Sequence, residues 1–83
     1  MIPASSKAKI KWQCRRGMLE LDLILNRFVS EQLEKLTLKQ VSAFEMLLNY
    51  PDPDIYNWLM GNEVPSEQEL VDIVTFIQLQ YRI

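Results

Sequence analysis

Eighty-three residues, 48% of them hydrophobic, make a single domain spanning residues 1–83: too apolar for a disordered chain, and able to bury only roughly 60–65% of its unfolded surface in one core. No apolar run exceeds three residues, as in Leu23–Leu25, which excludes a membrane-spanning helix of ~20 residues, and no basic stretch leads into an apolar one as a secretory signal requires. The net charge of −2 conceals a division: Lys7, Lys9, Lys11, Arg15 and Arg16 stand in a first segment without an acid, while Gln40 to Tyr81 holds seven acids and no base. Such asymmetry marks either a surface for charged partners or a set of solvated helix ends.

In chain order, the first element alternates Ala8, Ile10, Trp12 and Cys14 with polar residues. A period of two reads as a strand. No other segment offers a strand to pair with it, so a helix, which satisfies its own backbone groups, is predicted instead. On that helix Ala8 and Trp12 share one side and Ile10 and Cys14 the other. Ser5 or Ser6 stands where a cap is needed, Arg15 and Arg16 complement the negative end of the helix dipole, and Gly17 is the terminator.

A second helix is predicted over residues 18–36, with Leu21, Ile24, Leu25, Phe28, Leu33 and Leu36 on one face. The third opens on Thr37 with Gln40 as a capping box and buries Val41, Phe44, Leu47 and Leu48. Pro51 and Pro53 break it. Asp52 is expected as the next N-cap, with Pro53 at the first position of a short helix through Ile55, Trp58 and Leu59 that Gly61 closes. The last helix carries a second capping box, Ser66 and Glu69, and the stripe Leu70, Ile73, Val74, Ile77 and Tyr81. The expectation is an all-α, five-helix bundle.

The chemistry available to this chain is narrow. It has no histidine, which removes the commonest general base and metal ligand, and one cysteine, Cys14, which leaves no intrachain disulfide and no zinc site. No serine stands in a nucleophile-elbow context. Cys14 itself reads as a small buried hydrophobe. A binding protein is favoured over an enzyme. The richest stretch is Cys14-Arg15-Arg16-Gly17-Met18-Leu19-Glu20-Leu21-Asp22, where two arginines, a glycine and two acids meet at a helix junction. Arginine offers bidentate donors, acids suit the first turn of the following helix, and glycine permits a sharp turn or a close backbone approach. An ordinary helix end followed by an acidic first turn accounts for the same residues.

Arg16-Gly17-x-x-Glu20 matches the RGxxE signature of the SdhE/Sdh5 family, and the block from Lys7 to Asp22 resembles that family's N-terminal block. Asp52-Pro53-Asp54-x-x-Asn57-Trp58-Leu59-Met60 is similar to its second block. The resemblance implies a five-helix assembly factor that binds the flavoprotein subunit of succinate dehydrogenase or fumarate reductase and promotes covalent attachment of FAD to a histidine there. It implies a cytoplasmic, monomeric, non-enzymatic protein without a tightly bound cofactor, without nucleic acid and without a membrane; the FAD belongs to the partner. Arg16 and Glu20 would make charge-assisted hydrogen bonds to the partner and Gly17 would permit close approach, with Arg15 and Asp22 in support. Trp12 fits either the core or an interface anchor. Asp52, Asp54 and Trp58 read first as cap, first-turn acid and core residue, with partner contact as a secondary role. An antitoxin-like or regulatory protein-binding module is the alternative. A small flavin enzyme is disfavoured by the absence of a phosphate-cradling glycine loop.

Overall fold

The structure, a computed structural model, describes residues 4–81. Its elements are α1 (Ala4–Gln13), α2 (Leu19–Gln32), a 3₁₀ turn (Leu33–Lys35), α3 (Leu38–Leu48), α4 (Asp52–Leu59) and α5 (Gln68–Tyr81). The five helices form an all-α bundle as expected, with no strand among the described residues.

The apolar stripes meet in one core. Leu21, Leu25, Phe28 and Val29 of α2, Val41, Phe44, Leu47 and Leu48 of α3, and Leu70, Ile73, Val74 and Ile77 of α5 are all buried. Phe28 sits among aromatic neighbours, its ring centre 5.1 Å from Phe44 and 5.9 Å, edge-on, from Phe76. Full burial of a side chain that size contributes about 1.5–3 kcal/mol. Among the described residues, no buried side chain is polar or charged. Helix α3 packs chiefly on α5, as does α4, while α1 packs on α2. The alternation in α1 resolves as a helix predicts: Ile10 and Cys14, four apart, are buried, and Trp12 on the other side is 72% exposed. None of the described helices is long and apolar enough to cross a membrane.

Polar bonds fix the helix ends. Thr37 and Gln40 form the expected capping box. Gln78 of α5 donates to the carbonyls of Trp58 and Leu59, both at 3.1 Å, and so caps the end of α4, after which Gly61 turns the chain at φ +80°. At the far end of α5, the Tyr81 hydroxyl donates to Glu31 at 3.1 Å while the Arg27 guanidinium lies 4.9 Å from the Tyr81 ring centre. Burial, reinforced by Glu31, pushes the Tyr81 phenol up to about 12.

Four local expectations need correction. Ser5 and Ser6 lie inside α1 rather than before it. The second helix ends at Gln32, and the 3₁₀ turn carries the chain on with Leu33 still buried. The N-cap of α4 is Pro51, not Asp52; Asp52 is the first helical residue and Pro53 the second, and the Asp52 carboxylate is drawn to Arg16 instead. In α5 the first helical bond runs from Val71 N–H to the Glu67 carbonyl, so Glu67 rather than Ser66 stands at the N-cap position and the helix opens at Gln68, and no bond joins Ser66 to Glu69. Pro65 is buried there and sets where the chain turns in.

Candidate functional site

Helix α1 ends at Gln13, so Gly17 is not its terminator. The Cys14 and Arg15 amides still bond back to Ile10 and Trp12, and the Gln13 carbonyl, which a glycine cap would have served, accepts instead from Arg16 Nη1 at 3.0 Å. The linker then reverses at Gly17, whose φ of +83° lies in the left-handed region that side chains with a Cβ adopt at a cost of about 1–2 kcal/mol. Around Gly17 the space is open: a Cβ placed there would meet no atom of the described residues within 4 Å. The fold requires this glycine for its backbone angle and not for packing.

Arg16 is the hub of the junction. Its Nε donates to Asp52 Oδ1 at 2.7 Å, Nη1 to the Leu48 carbonyl at 2.7 Å as well as to Gln13, and Nη2 to the Tyr50 carbonyl at 2.6 Å. Four of the five guanidinium N–H groups are thereby engaged within the chain. Gln13 ends α1, Leu48 ends α3 and Asp52 begins α4, so one cation neutralises two negative helix termini and pairs with an acid at a positive one. The backbone joins in: Arg16 N–H donates to Asp22 Oδ1 at 2.7 Å, which fastens the linker to the first turn of α2, where the N-cap residue Met18 supplies no side-chain bond. The Arg16 side chain is only 15% exposed. Beneath it, burial pushes the Cys14 thiol from 9.0 up to about 12, with the Arg16 charge opposing and the Asp22 charge adding to the rise.

The candidate residues therefore divide by position. Arg16 binds both acids, Asp22 through its amide and Asp52 through its guanidinium, with 36 positions of sequence between Arg16 and Asp52. Arg15, Gly17 and Glu20 are exposed, as is Trp12. Asp54 and Trp58 lie on α4, half-buried, with the Trp58 ring 5.0 Å from that of Tyr50; neither takes part in the Arg16 network. Sequence reasoning passed over Leu19 and Leu23, which are 68% and 63% exposed beside Glu20. Their signal was available: they stand four apart and off the stripe of Leu21, Leu25 and Phe28. The Tyr50 and Leu48 carbonyls were also missed, since nothing in a side-chain pattern announces a backbone acceptor. Among the described residues, no group of three or more Cys, Asp or Glu is placed to hold a metal ion.

Comparison with known proteins bears on this arrangement. Residues 8–80 match the Sdh5 family, described as the flavinator of succinate dehydrogenase. The chain is 51% identical over 72 residues to the FAD assembly factor SdhE of Legionella pneumophila strain Lens, covering 87% of this chain and 90% of that one. It is 47% identical over 76 residues to the FAD assembly factor SdhE of Coxiella burnetii, covering 92% of each. The solution structure of a UPF0350 protein superposes with a TM-score of 0.84 at 39% identity, covering 99% of this chain and 87% of that one.

Proposed function

The chain belongs to the Sdh5 family of succinate dehydrogenase flavinators, and from that premise we propose that it is an assembly factor that binds the flavoprotein subunit of succinate dehydrogenase, or of fumarate reductase, and promotes covalent attachment of FAD to it. The observation that carries the reading is the junction itself: a rigid, internally bonded turn that presents Gly17 with open space above it and Glu20 on the first turn of α2. In this reading Arg15, Gly17, Glu20 and Trp12 touch the partner, and Leu19 and Leu23 supply apolar area beside them. Arg16 and Asp22 act as positioning residues, because four of the five Arg16 guanidinium N–H groups and the Asp22 Oδ1 are already bonded within the chain. Asp52 acts through Arg16, and Asp54 and Trp58 form a secondary flank.

The chain has no histidine, so a histidyl flavin must be carried by the partner, together with the groups that react. The factor works in the cytoplasm as a monomer, without a tightly held cofactor of its own, by holding the flavoprotein in a geometry in which its own residues complete the bond. Fixing geometry alone is worth several kcal/mol to a reaction (~7–11 in the most favourable cases). The test is capture from native extract with the tagged factor, followed by reading covalent flavin fluorescence on the captured subunit. Recovery of the flavoprotein, with flavin attachment lost in cells carrying Gly17→Leu, supports the assignment. Recovery of nucleic acid or a toxin in its place refutes it.

A further inference from the structure

One face of α1 is used neither by the core nor by the Arg16 junction. Lys7, Lys11 and Arg15, four residues apart, form one wall of an open groove of about 450 Å³ between α1 and α2. Val29 and Leu33 also line it and are buried, which gives it an apolar floor. At one end Glu34, across the groove, forms an ion pair with Lys7. That carboxylate displays within the molecule the kind of group these cations hold. Lys11 and Arg15 are exposed, and neither forms an ion pair among the described residues.

We propose that the α1–α2 groove is a docking channel for a short, extended, acidic segment of the partner protein. Spacing supports an extended occupant: Lys7 and Lys11 are separated by about 6 Å of rise along α1, Arg15 follows just past the end of that helix, and alternate residues of an extended chain lie about 6.6–6.8 Å apart on the same side. Carboxylates at alternate positions therefore match Lys11 and, by displacing Glu34, Lys7 in register, with Arg15 beyond the helix end to take a third, while apolar side chains between them can reach the floor. A nucleic acid fits less well, because the chain from Gln40 to Tyr81 carries seven acids and no base and the pI is near 5.0, which repels an extended polyanion. The proposal rests on the reading of this chain as a flavoprotein-binding factor and adds a second contact, continuous with Arg15, that steers the encounter.

Lys9 supplies the control. It is exposed, absent from the groove and about 200° around α1 from Lys11, so Lys9→Glu and Lys11→Glu make the same change in net charge on opposite faces. The full chain is titrated with a five-residue peptide carrying aspartate at the first, third and fifth positions, read by amide shifts at Ser30 and Leu33, and its association rate with the flavoprotein subunit is measured at low and high salt. The expected result is a peptide footprint confined to the groove, with association slowed about tenfold by Lys11→Glu and less than twofold by Lys9→Glu, the difference vanishing at high salt. Lys11→Ala provides a milder version should charge reversal loosen α1. Equal effects at the two lysines, a footprint elsewhere, or tighter binding of duplex DNA than of the peptide would overturn the channel. If the wild-type chain binds the peptide in the groove but not the flavoprotein, the functional reading fails and the groove survives as an acidic-peptide site.

Discussion

Helices α3 and α5 adhere through Val41, Phe44, Leu47, Leu70, Ile73 and Ile77, buried side chains with no polar atoms to satisfy. Where α1, α3 and α4 meet, one guanidinium and the four acceptors around it are added to the buried Ile10, Ile55 and Leu59. Burial is non-directional and tolerates repacking, whereas hydrogen bonds to carbonyls at helix ends demand a planar fork of fixed shape. The comparison teaches where this small chain spends precision: at the end that carries the candidate site, while the α3–α5 seam is held by burial.

The largest effect should come from breaking the junction. Arg16→Leu leaves Asp52 and three carbonyls without their partner and is expected to cost about 3–5 kcal/mol, as loss of one member of a largely buried pair does. Arg16→Lys should recover less than half, since an ammonium cannot reach all four acceptors. By contrast Phe44→Leu, a shape change in the apolar seam, should cost about 1–2 kcal/mol. Urea midpoints measure all three, and equal costs for Arg16→Lys and Phe44→Leu would erase the distinction.

Glu20→Ala separates site from scaffold. Glu20 is exposed in the first turn of α2, so the dipole contribution lost should be only about 0.3–1 kcal/mol of stability, while partner binding should weaken by about 2–5 kcal/mol. A large fall in melting temperature with unchanged binding per folded molecule would make Glu20 structural.

How far the sequence led depends on whether an interaction is local. Helix faces were legible because burial follows a period of 3.6, and even the misleading alternation in α1 resolved once Ile10 and Cys14 were placed four apart. The Thr37–Gln40 box was legible because both halves lie within one turn. Ser66 and Glu69 carry the same pattern, yet the bond does not form, since a helix start is set to the residue by how the chain arrives, here with Pro65 buried. Arg16 and Asp52 were each singled out, and the two blocks that contain them were read as one resemblance. Their direct bond was not read, because no periodicity encodes a pairing across 36 positions. The left-handed angle at Gly17 was anticipated, though for the end of α1 rather than for the turn into α2.

Two smaller perturbations refine the contrast. Asp52→Asn keeps an acceptor for Arg16 but removes its charge, and should cost about 1–3 kcal/mol, with flavin attachment falling in proportion to the loss of order in the Arg15–Gly17 turn. Gly17→Ala should cost about 1 kcal/mol through its backbone angle, with Gly17→Asn milder. Because no atom of the described residues lies within 4 Å of a Cβ placed at Gly17, Gly17→Leu should be nearly as well folded as Gly17→Ala and yet fail to support flavin attachment. A Gly17→Leu protein with normal covalent flavin levels would remove this residue from the site.

The mildest probe is pH. Cys14 at the junction and Tyr81 at the end of α5 both hold their protons to about 12 in the folded chain, against 9.0 and 10.0 for the free groups. Between pH 9 and 12 the unfolded chain therefore binds fewer protons than the folded one, and stability falls as pH rises through that window and is unaffected by these groups below it. Cys14→Ala should flatten the junction's share of the slope, and Tyr81→Phe that of α5, each read as the change in urea midpoint with pH.

Cys14 has a second consequence, kinetic rather than thermodynamic. The chain's one thiol is fully buried and protonated at physiological pH, so a thiol-specific reagent has nothing to attack while α1 lies against α2. Modification can proceed only through molecules in which α1 has lifted, and its rate under excess reagent reports how often that happens. The native sequence thus contains its own clock for opening at the junction. Occupancy of the neighbouring turn by a partner should slow that clock without any label being introduced.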